Sequence, residues 1–360
     1  MMKNKLIISG AGVGKTTYLV KKALELKNKK IAIITYTEAN ELEIRKKFFE
    51  LNGLIPANIR IETWFSFLIK HGIKPYKGEL FEELFEKDIN GMIFSEGISN
   101  YIKNEDKIIS KRSTELSYYF NKEFKIYSDK ISNFIYECNK KSKGKVINRL
   151  IEIFDYIFLD EIQDLVGYDL EILQLLVKSK IKILMVGDPR QTTYSTHKEK
   201  KNKKYSNGKI KEYFNDKLKK EEVEIDEKTL VLTHRNNFEI CELANKLYPS
   251  FKSTMPCGCC HNKLPENCGV HYISSREIQD YLKKYNPVQI KWNSRIRVDE
   301  KYYSINFGNS KGLTFDRVLI YPTKDMKEWL ANNNTNLKEE TRAKLYVGIT
   351  RARYSVGIVK

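Results

Sequence analysis

A glycine-rich segment near the N-terminal end of the chain has the composition of a phosphate-binding loop. It reads Ser9-Gly10-Ala11-Gly12-Val13-Gly14-Lys15-Thr16-Thr17 and stands between an apolar stretch and a helical pattern. Glycines allow backbone N–H groups to curl around phosphate oxygens, and the N-terminal end of the following helix adds positive charge. Lys15 would reach the β- and γ-phosphates of a nucleotide, and Thr16 would hold Mg²⁺. The usual motif has glycine where Ser9 stands, and the alternative interpretation is a glycine-rich turn that caps a strand.

A pair of acidic residues ends another apolar stretch. In Phe158-Leu159-Asp160-Glu161 the carboxylate of Asp160 could hold the water shell of Mg²⁺, and Glu161 could polarise an attacking water. An acidic pair at the end of a strand is common and carries little information alone. Together with the loop at Lys15 it indicates a nucleoside triphosphatase.

Three more polar residues follow other apolar stretches. Gln191, in the segment Gly187-Asp188-Pro189-Arg190-Gln191, would lie beside the same phosphates. Arg235 and Arg351 come from a later block of the chain and would neutralise charge that spreads over the γ-phosphate. Hydrolysis would then depend on how the two blocks close. Taken singly, either arginine is more typical of a surface ion pair.

The elements that must position these residues alternate between strands and helices, which implies parallel strand pairing and an α/β fold. Residues 76–149 interrupt the alternation and are predicted as a helical insertion without strands, and Lys198–Glu224 as a basic loop plus helix. The predicted strands are Lys5–Ser9, Ile31–Thr35, Asn58–Glu62, Tyr156–Leu159, Ile181–Val186, Leu230–Leu232, Val270–Ile273, Tyr302–Asn306, Val318–Tyr321 and Val356–Val359.

Composition narrows the class of protein. The 360 residues include 64 lysines and arginines against 46 acidic residues, a net charge of +18. This excess favours a polyanionic partner, nucleic acid before an anionic membrane surface, although a lysine-rich surface from a biased genome would look the same. No apolar run approaches the roughly 18 residues of a spanning helix, so we expect no membrane association. Six cysteines are too few for a disulfide scaffold, and we expect a cytoplasmic protein.

Taken in chain order, the segments resemble the motifs of superfamily 1 helicases of the Rep/UvrD type over nearly the whole chain. The resemblance implies two RecA-like lobes that hydrolyse ATP between them with Mg²⁺. It assigns His234 to adenine stacking, Arg235 to the γ-phosphate and Arg351 to the final arginine finger. The further matching segments are Ile34-Thr35-Tyr36-Thr37-Glu38-Ala39, Thr63-Trp64-Phe65-Ser66-Phe67, Asp160-Glu161-Ile162-Gln163-Asp164, Thr233-His234-Arg235-Asn236, Ser310-Lys311-Gly312-Leu313-Thr314-Phe315-Asp316 and Tyr346-Val347-Gly348-Ile349-Thr350-Arg351-Ala352-Arg353.

The same resemblance implies contacts with single-stranded DNA. A motor that steps along a strand needs aromatic side chains on which bases stack and a basic groove for phosphates. The alternative for Trp64 and Phe65 is core packing at a helix start, and for the five lysines of Lys198–Lys204 it is a solvated loop. The candidate contacts are Thr35, Tyr36, Thr63, Trp64, Phe65, Tyr194 and Lys311.

The departures from the family pattern affect contacts with DNA and the motif that couples ATP to DNA. They leave the phosphate-binding residues in place. Asn306 and Gly308 stand where the family usually has threonine and histidine, Thr314 where it has glutamate, and Thr196 where it has a base-stacking aromatic. Only 75 residues, 236–310, separate Arg235 from Lys311. That span has no room for the second accessory subdomain of larger members. We therefore predict a minimal motor, and strand separation is uncertain.

The predicted domain organisation follows from these spacings. Residues 1–75 and 150–225 would form the first RecA-like lobe, with the phosphate loop and the magnesium site. Residues 76–149 would form the helical insertion, a reduced accessory subdomain. Residues 226–360 would form the second RecA-like lobe, which supplies the arginine fingers.

Five of the six cysteines fall late in the chain, and four of them form a cluster that could bind Zn²⁺. Cys257, Cys259, Cys260 and Cys268 are soft ligands at the density of a tetrahedral site, with His261 and His271 nearby. The spacing lacks a clean pair of C-x-x-C arms. Reduced thiols in a loop are the favoured interpretation, and zinc is the alternative.

Two functions remain open. The leading hypothesis is an ATP-dependent DNA helicase or single-stranded DNA translocase, acting on single-stranded or tailed DNA, with RNA not excluded. The alternative is a nucleic-acid-stimulated ATPase that acts as a sensor or as the partner subunit of a nuclease, in a setting such as antiviral defence. The missing subdomain and the altered coupling motif favour this alternative.

Overall fold

The structure, a computed structural model, describes residues 3–94, 101–104, 107–110, 112–193, 201–219, 222–259, 265–332 and 336–360. Tyr194, Cys260 and part of the lysine tract lie outside the described residues. The chain divides into two compact units. Unit 1 comprises Met1–Leu6, Thr16–Val186 and Ser195–Ile225, and unit 2 comprises Ile7–Lys15, Gly187–Tyr194 and Asp226–Lys360.

The first part of the chain contains ten strands and nine α-helices among the described residues. The strands are β1 (Asn4–Ile8), β2 (Ile31–Thr35), β3 (Ile59–Thr63), β4 (Met92–Ile93), β5 (Tyr101–Asn104), β6 (Lys107–Ser110), β7 (Ile126–Tyr127), β8 (Tyr156–Leu159), β9 (Lys182–Gly187) and β10 (Val223–Asp226). The helices are α1 (Lys15–Glu25), α2 (Glu38–Asn52), α3 (Trp64–Leu68), α4 (Lys77–Leu80), α5 (Leu116–Tyr119), α6 (Ile131–Lys141), α7 (Lys145–Ile153), α8 (Tyr168–Val177) and α9 (Ile210–Lys217).

The later part of the chain belongs to unit 2. Its strands are β11 (Leu232–Thr233), β12 (Met255–Pro256), β13 (Gly269–Ile273), β14 (Val288–Lys291), β15 (Ser304–Asn306), β16 (Phe315–Ile320) and β17 (Ala352–Val359). Its helices are α10 (Phe238–Lys246), α11 (Ile278–Tyr285), α12 (Lys324–Ala331) and α13 (Glu339–Thr350).

A six-stranded sheet in the order β10-β1-β9-β8-β2-β3 organises the first part of the chain. Strand β2 pairs in parallel with β3 and β8, and β8 pairs in parallel with β9. All five residues of β2 are buried, as expected for a parallel strand covered on both faces. Because these paired strands are parallel, the loops after β2, β3 and β8 lie at the same edge of the sheet.

A second sheet of five strands, in the order β13-β17-β16-β14-β15, forms the centre of unit 2. Its pairs are all parallel. Buried side chains of the sheet pack against α10, α12 and α13, and Ala11 of the phosphate loop joins the same core. The predicted α/β class with parallel sheets is confirmed.

The segment 76–149 differs from its prediction in one respect. Helices α4 to α6 lie in it, and α7 begins there, but it also contains strands. Strand β4 pairs in parallel with β7, and β5 pairs with β6 as an antiparallel hairpin. The expectation of helices without strands was therefore wrong. The predicted domain boundaries stay a prediction. No helix in the described part of the chain is long and apolar enough to span a membrane.

Candidate nucleotide and nucleic-acid sites

The predicted phosphate loop joins β1 to α1, and its glycines are used for their conformational freedom. Gly12 and Gly14 have φ angles of 72° and 80°, in the left-handed region that favours glycine. A side chain at Gly12 would also collide with its neighbours, since its Cβ would lie 2.5 Å from the hydroxyl oxygen of Thr233. The N–H of His234 donates to the carbonyl of Gly12 at 2.9 Å. Within unit 2, therefore, the loop already touches the segment that carries Arg235.

Two of the groups predicted to donate hydrogen bonds to phosphate donate to protein oxygens in this structure. The ammonium of Lys15 is buried and donates to the carbonyl of Gly10 at 3.1 Å. The N–H of Ala11 donates to the hydroxyl of Tyr346 at 3.2 Å. A bound phosphate would have to exchange these bonds for its own. Tyr346 opens the final motif segment, but it was not a predicted site residue.

In unit 1, the two residues predicted to hold Mg²⁺ meet although 144 positions separate them. Thr16, at the start of α1, donates its hydroxyl to a carboxylate oxygen of Asp160 at 3.0 Å. Asp160 follows β8 directly, and its N–H donates to the carbonyl of Ile34 in β2, which fixes the loop to the sheet edge. A hydroxyl beside a carboxylate supplies the hard oxygen ligands that Mg²⁺ prefers, so these residues fit the ion.

Glu161 has an unusual backbone conformation. Its φ of 54° places a non-glycine residue in the left-handed region. Such strain is concentrated at functional sites, where the surrounding structure maintains it. The N–H of Glu161 donates to Asp160 at 2.9 Å, and the side-chain amide of Gln163 donates to the Glu161 carboxylate. Three residues of the acidic segment thus hold one another in place.

A buried charged cluster in unit 2 surrounds Asp188, the residue after β9. The carboxylate accepts from the guanidinium of Arg190 at 2.7 Å, the amide of Gln191 at 2.9 Å and the hydroxyl of Tyr346 at 3.1 Å. Burial alone would raise the pKa of Asp188, but the charges of Arg190 and Lys15 outweigh it and hold that pKa below its ordinary value. Burial raises the pKa of Tyr346, so its phenol remains a donor. Asp188 was not a predicted site residue.

Arg351 and Gln191, both predicted to act in hydrolysis, contact each other. The guanidinium of Arg351 donates to the amide oxygen of Gln191 at 3.0 Å and to the carbonyls of Val347 and Leu313 at 3.2 and 3.1 Å. Arg351 is only 1% exposed. The interpretation of Arg351 as a surface ion-pair partner is therefore wrong.

Arg235 lies close to the same place. Its guanidinium donates to the carbonyl of Thr350 at 3.3 Å, and the hydroxyl of Thr350 accepts from Arg351 at the same distance. The structure thus brings the two predicted arginine fingers together on one residue of unit 2.

Among the predicted nucleic-acid contacts, Trp64 requires a correction. It is 1% exposed, and its indole N–H donates to Asp169 at 2.8 Å. Ser132 donates to the same carboxylate, so Trp64 joins α3, α6 and α8 in the core. No face of the ring is open for a base, and the assignment of Trp64 to stacking was wrong.

The two predicted threonines are buried as well. Thr63 caps α3, because its hydroxyl accepts the N–H of Ser66. Thr35 ends β2 and is 1% exposed, and its hydroxyl has no hydrogen-bond partner among the described residues. Thr35 and Thr63 are the last residues of β2 and β3. Their contact with DNA stays a prediction.

A row of aromatic rings in unit 1 continues from the motif residues to the surface. The ring of Tyr36 meets Phe65 edge-on at 5.3 Å, and Phe65 meets Phe94 edge-on at 6.5 Å. Phe65 is buried, Tyr36 is partly exposed and Phe94 is 74% exposed. Phe94 lies outside every motif, so only its residue type could have marked it as a candidate.

The thiols group differently from the sequence prediction. Cys257 and Cys259 lie beside His234, whereas the thiol of Cys268 donates to the carbonyl of Pro265 at 2.9 Å. Among the described residues, the only group of potential metal ligands is His234, Cys257 and Cys259. Cys268 is not part of it.

Two protein-family models match the chain, and each covers more than half of it. A model described as an AAA domain matches residues 1–197. A model described as a viral superfamily 1 RNA helicase core domain matches residues 121–360. Together they cover the chain from the phosphate loop to Arg351.

Curated relatives and solved structures show more distant similarity. The ATP-dependent DNA helicase Rep of Buchnera aphidicola subsp. Acyrthosiphon pisum is 25% identical over 236 residues, covering 53% of this chain and 36% of the relative. The Gabija protein GajB of Bacillus cereus is 28% identical over 200 residues, covering 53% of this chain and 38% of the relative. The chain thus spans little more than a third of the length of these relatives. A crystal structure of arterivirus nonstructural protein 10, a helicase, has a TM-score of 0.49 at 13% identity and covers 99% of this chain and 59% of its own.

Proposed function

This chain belongs to the superfamily 1 helicases, and we propose that it hydrolyses ATP to drive stepping along single-stranded DNA. The observation that carries the proposal is the 3.0 Å contact between Thr16 and Asp160, residues from two separate motifs. Such a pair is what a nucleotide-bound Mg²⁺ requires of a P-loop enzyme. The ion, when bound, would neutralise charge on the β- and γ-phosphates.

Hydrolysis would use the strained acidic segment. The carboxylate of Glu161 would orient and polarise the attacking water, and Gln163 would hold that carboxylate in position. Lys15 would give up its bond to Gly10 to bind a phosphate oxygen. Exchanging one oxygen acceptor for a charged one favours the nucleotide complex, because charge-assisted hydrogen bonds are the stronger ones.

The arginines would act on the charge that develops during transfer. Arg235 follows the residue whose N–H bonds to Gly12, so it lies beside the phosphate loop within unit 2. Arg351 is linked through Gln191 to Asp188, and Asp188 through Tyr346 to Ala11 of the loop. A change at the phosphates would therefore reach Arg351 through bonded neighbours.

The nucleic acid would lie on the exposed aromatic side chains of unit 1. Phe94 and Tyr36 present rings on which bases can stack, and the net charge of +18 favours a polyanion. The name of the Rep relative supports DNA, and the description of the viral family model makes RNA the comparison to test. Lys311 remains a proposed contact from unit 2.

A second candidate function is an ATPase that senses nucleic acid or serves a protein partner without robust unwinding. Two departures from the family pattern favour it: the short span of residues 236–310 leaves no room for the second accessory subdomain, and Thr314 alters the motif that couples ATP to DNA. Both candidates require the same ATP chemistry. They differ in strand separation.

One experiment tests the proposal and separates the two candidates. ATPase rates would be measured without nucleic acid and with single-stranded DNA, duplex DNA and single-stranded RNA, beside strand separation on a tailed duplex. We expect stimulation by single-stranded DNA that is lost in Lys15→Ala and kept in Lys21→Ala, an exposed lysine of the same helix. Stimulation without strand separation would favour the second candidate. Equal ATPase activity in Lys15→Ala and the wild type would overturn both.

A further inference from the structure

Three potential metal ligands, His234, Cys257 and Cys259, come together in unit 2, and His234 was not among the ligands predicted from the sequence. The Nδ1 atom of His234 lies 3.1 Å from the sulfur of Cys257. The sulfur of Cys259 lies 3.3 Å from the sulfur of Cys257. All three ligand atoms fall within 4.8 Å of one another. Ligands about 2.0–2.3 Å from a tetrahedral zinc ion are separated by about 3.3–3.8 Å, so small adjustments would accommodate the ion.

We propose that His234, Cys257 and Cys259 bind a Zn²⁺ ion. One imidazole and two thiolates form the soft, mixed nitrogen and sulfur set that selects zinc over magnesium or calcium. Three protein ligands leave a fourth tetrahedral position for water or another donor. The site is independent of the ATPase proposal, because it rests on ligand geometry and not on the helicase motifs.

The strand register explains why the ligands meet although 23 positions separate His234 from Cys257. Strands β11 and β12 are parallel, with Thr233 opposite Pro256. The residues that directly follow the two strands, His234 and Cys257, are therefore neighbours. The N–H of Cys257 donates to the carbonyl of Thr233 at 2.9 Å. Cys259 follows two residues later and turns back toward the pair. Backbone pairing thus preorganises two of the three ligands, which lowers the cost of binding.

Metal binding at this place would stabilise the segment that touches the phosphate loop. The N–H of His234 bonds to Gly12, and Arg235 is the next residue. A zinc ion on the imidazole would fix the His234 ring through Nδ1 and tie β11 to β12. The ring would then be held in one orientation, which restricts the adenine-stacking role that the family resemblance implies for it.

The test measures metal directly. Reduced wild-type protein would be titrated with Co²⁺, whose visible and near-ultraviolet bands report tetrahedral geometry and thiolate ligation, and then with Zn²⁺ as competitor. Metal content after dialysis would be measured by mass spectrometry. We expect one ion per chain and thiolate bands in the wild type, and at least a tenfold loss of affinity in His234→Ala and Cys257→Ser. Cys268→Ser and Cys241→Ser, thiols outside the group, should bind as the wild type does.

Two outcomes would overturn the proposal. Wild-type protein without thiolate bands binds no metal here, and a Cys268→Ser variant that loses the metal would show a different ligand set. A third measurement covers variants that fail to fold. In the wild type alone, Zn²⁺ should protect two thiols from alkylation and raise the melting temperature, because a ligand that binds only the folded state stabilises it.

Discussion

The acidic segment after β8 and the charged cluster around Asp188 both carry residues of the family motifs, but they differ in how their side chains are bonded. In the acidic segment, Thr16 meets one oxygen of Asp160, and Glu161 is partly exposed. In the cluster, Asp188 is fully buried and accepts three side-chain donors, and Arg351 donates to two backbone carbonyls and to Gln191.

This difference separates two kinds of functional residue. A substitution at the partly exposed Glu161 of the acidic segment removes a carboxylate oxygen and little packing, so it should affect turnover and leave the folded state intact. A substitution in the cluster leaves buried donors or acceptors unpaired, at about 1–3 kcal/mol each, so it should affect stability as well. Variants of both regions test this difference.

The largest effect is expected for Arg351→Ala. Loss of an arginine finger lowers turnover by about 10³–10⁵-fold. Because two carbonyls and Gln191 also lose their donor, the variant should unfold at lower denaturant concentration. The measurements are steady-state ATPase with single-stranded DNA and a denaturant titration. Arg353→Ala is the matched control, since Arg353 is half-exposed and pairs with the exposed Asp316 at 3.2 Å. A stable Arg351→Ala protein with normal stimulation by DNA would exclude both the finger role and the stabilising role of Arg351.

Trp64→Ala should behave as a core substitution, although the motif resemblance places Trp64 at a base. Removing a fully buried tryptophan costs about 3–5 kcal/mol of unfolding free energy. Trp64→Phe should retain part of the packing but lose the bond to Asp169. Urea titration measures both. A fully stable Trp64→Ala variant with weakened DNA binding would restore the stacking role that burial argues against.

Phe94→Ala should produce the opposite pattern. We expect single-stranded DNA affinity to fall by about 1–3 kcal/mol without a change in stability, because the ring is exposed and a base can stack on it. The control is Phe49→Ala, another exposed phenylalanine, on α2. Fluorescence anisotropy at several salt concentrations would measure affinity, with a slope of about −0.7 per phosphate contacted. Equal affinities of Phe94→Ala and Phe49→Ala would remove Phe94 from the interface.

The smallest effect is expected for Tyr346→Phe. The variant removes one hydroxyl that accepts from Ala11 and donates to Asp188, while Arg190 and Gln191 continue to bond to the carboxylate. The net loss should be about 1 kcal/mol of unfolding free energy. Tyr354→Phe, at a partly exposed tyrosine of β17, is the control. A larger loss of ATP affinity than of stability would indicate that the hydroxyl also organises the phosphate loop.

Much of the fold could be predicted from sequence because parallel strands are short apolar runs. The predicted bounds of Ile31–Thr35 and Tyr156–Leu159 match β2 and β8. Strand β14 was missed, since it contains Gln289, a polar residue whose side chain bonds to the carbonyls of Asp299 and Tyr302. The local pattern cannot reveal partners that only the folded chain supplies.

The candidate site shows the same limit. Residue types and spacing indicated the phosphate loop and the acidic pair, because their chemistry is local to a strand end. They could not indicate whether Trp64 lies in the core, because a helix start is apolar in either case. They also could not join His234 to Cys257, because that neighbourhood depends on the register of β11 and β12.

The most direct test of the ATPase proposal compares Glu161→Gln with Glu152→Gln, an exposed glutamate of α7. ATP affinity would be measured with a fluorescent nucleotide, and hydrolysis in a single turnover with Mg²⁺ and single-stranded DNA. We expect Glu161→Gln to bind ATP like the wild type and to hydrolyse it about 10²–10⁴-fold more slowly, because only the water-polarising carboxylate is lost. Glu152→Gln should match the wild type in both. A wild-type rate of hydrolysis in Glu161→Gln would exclude Glu161 as the residue that polarises the attacking water.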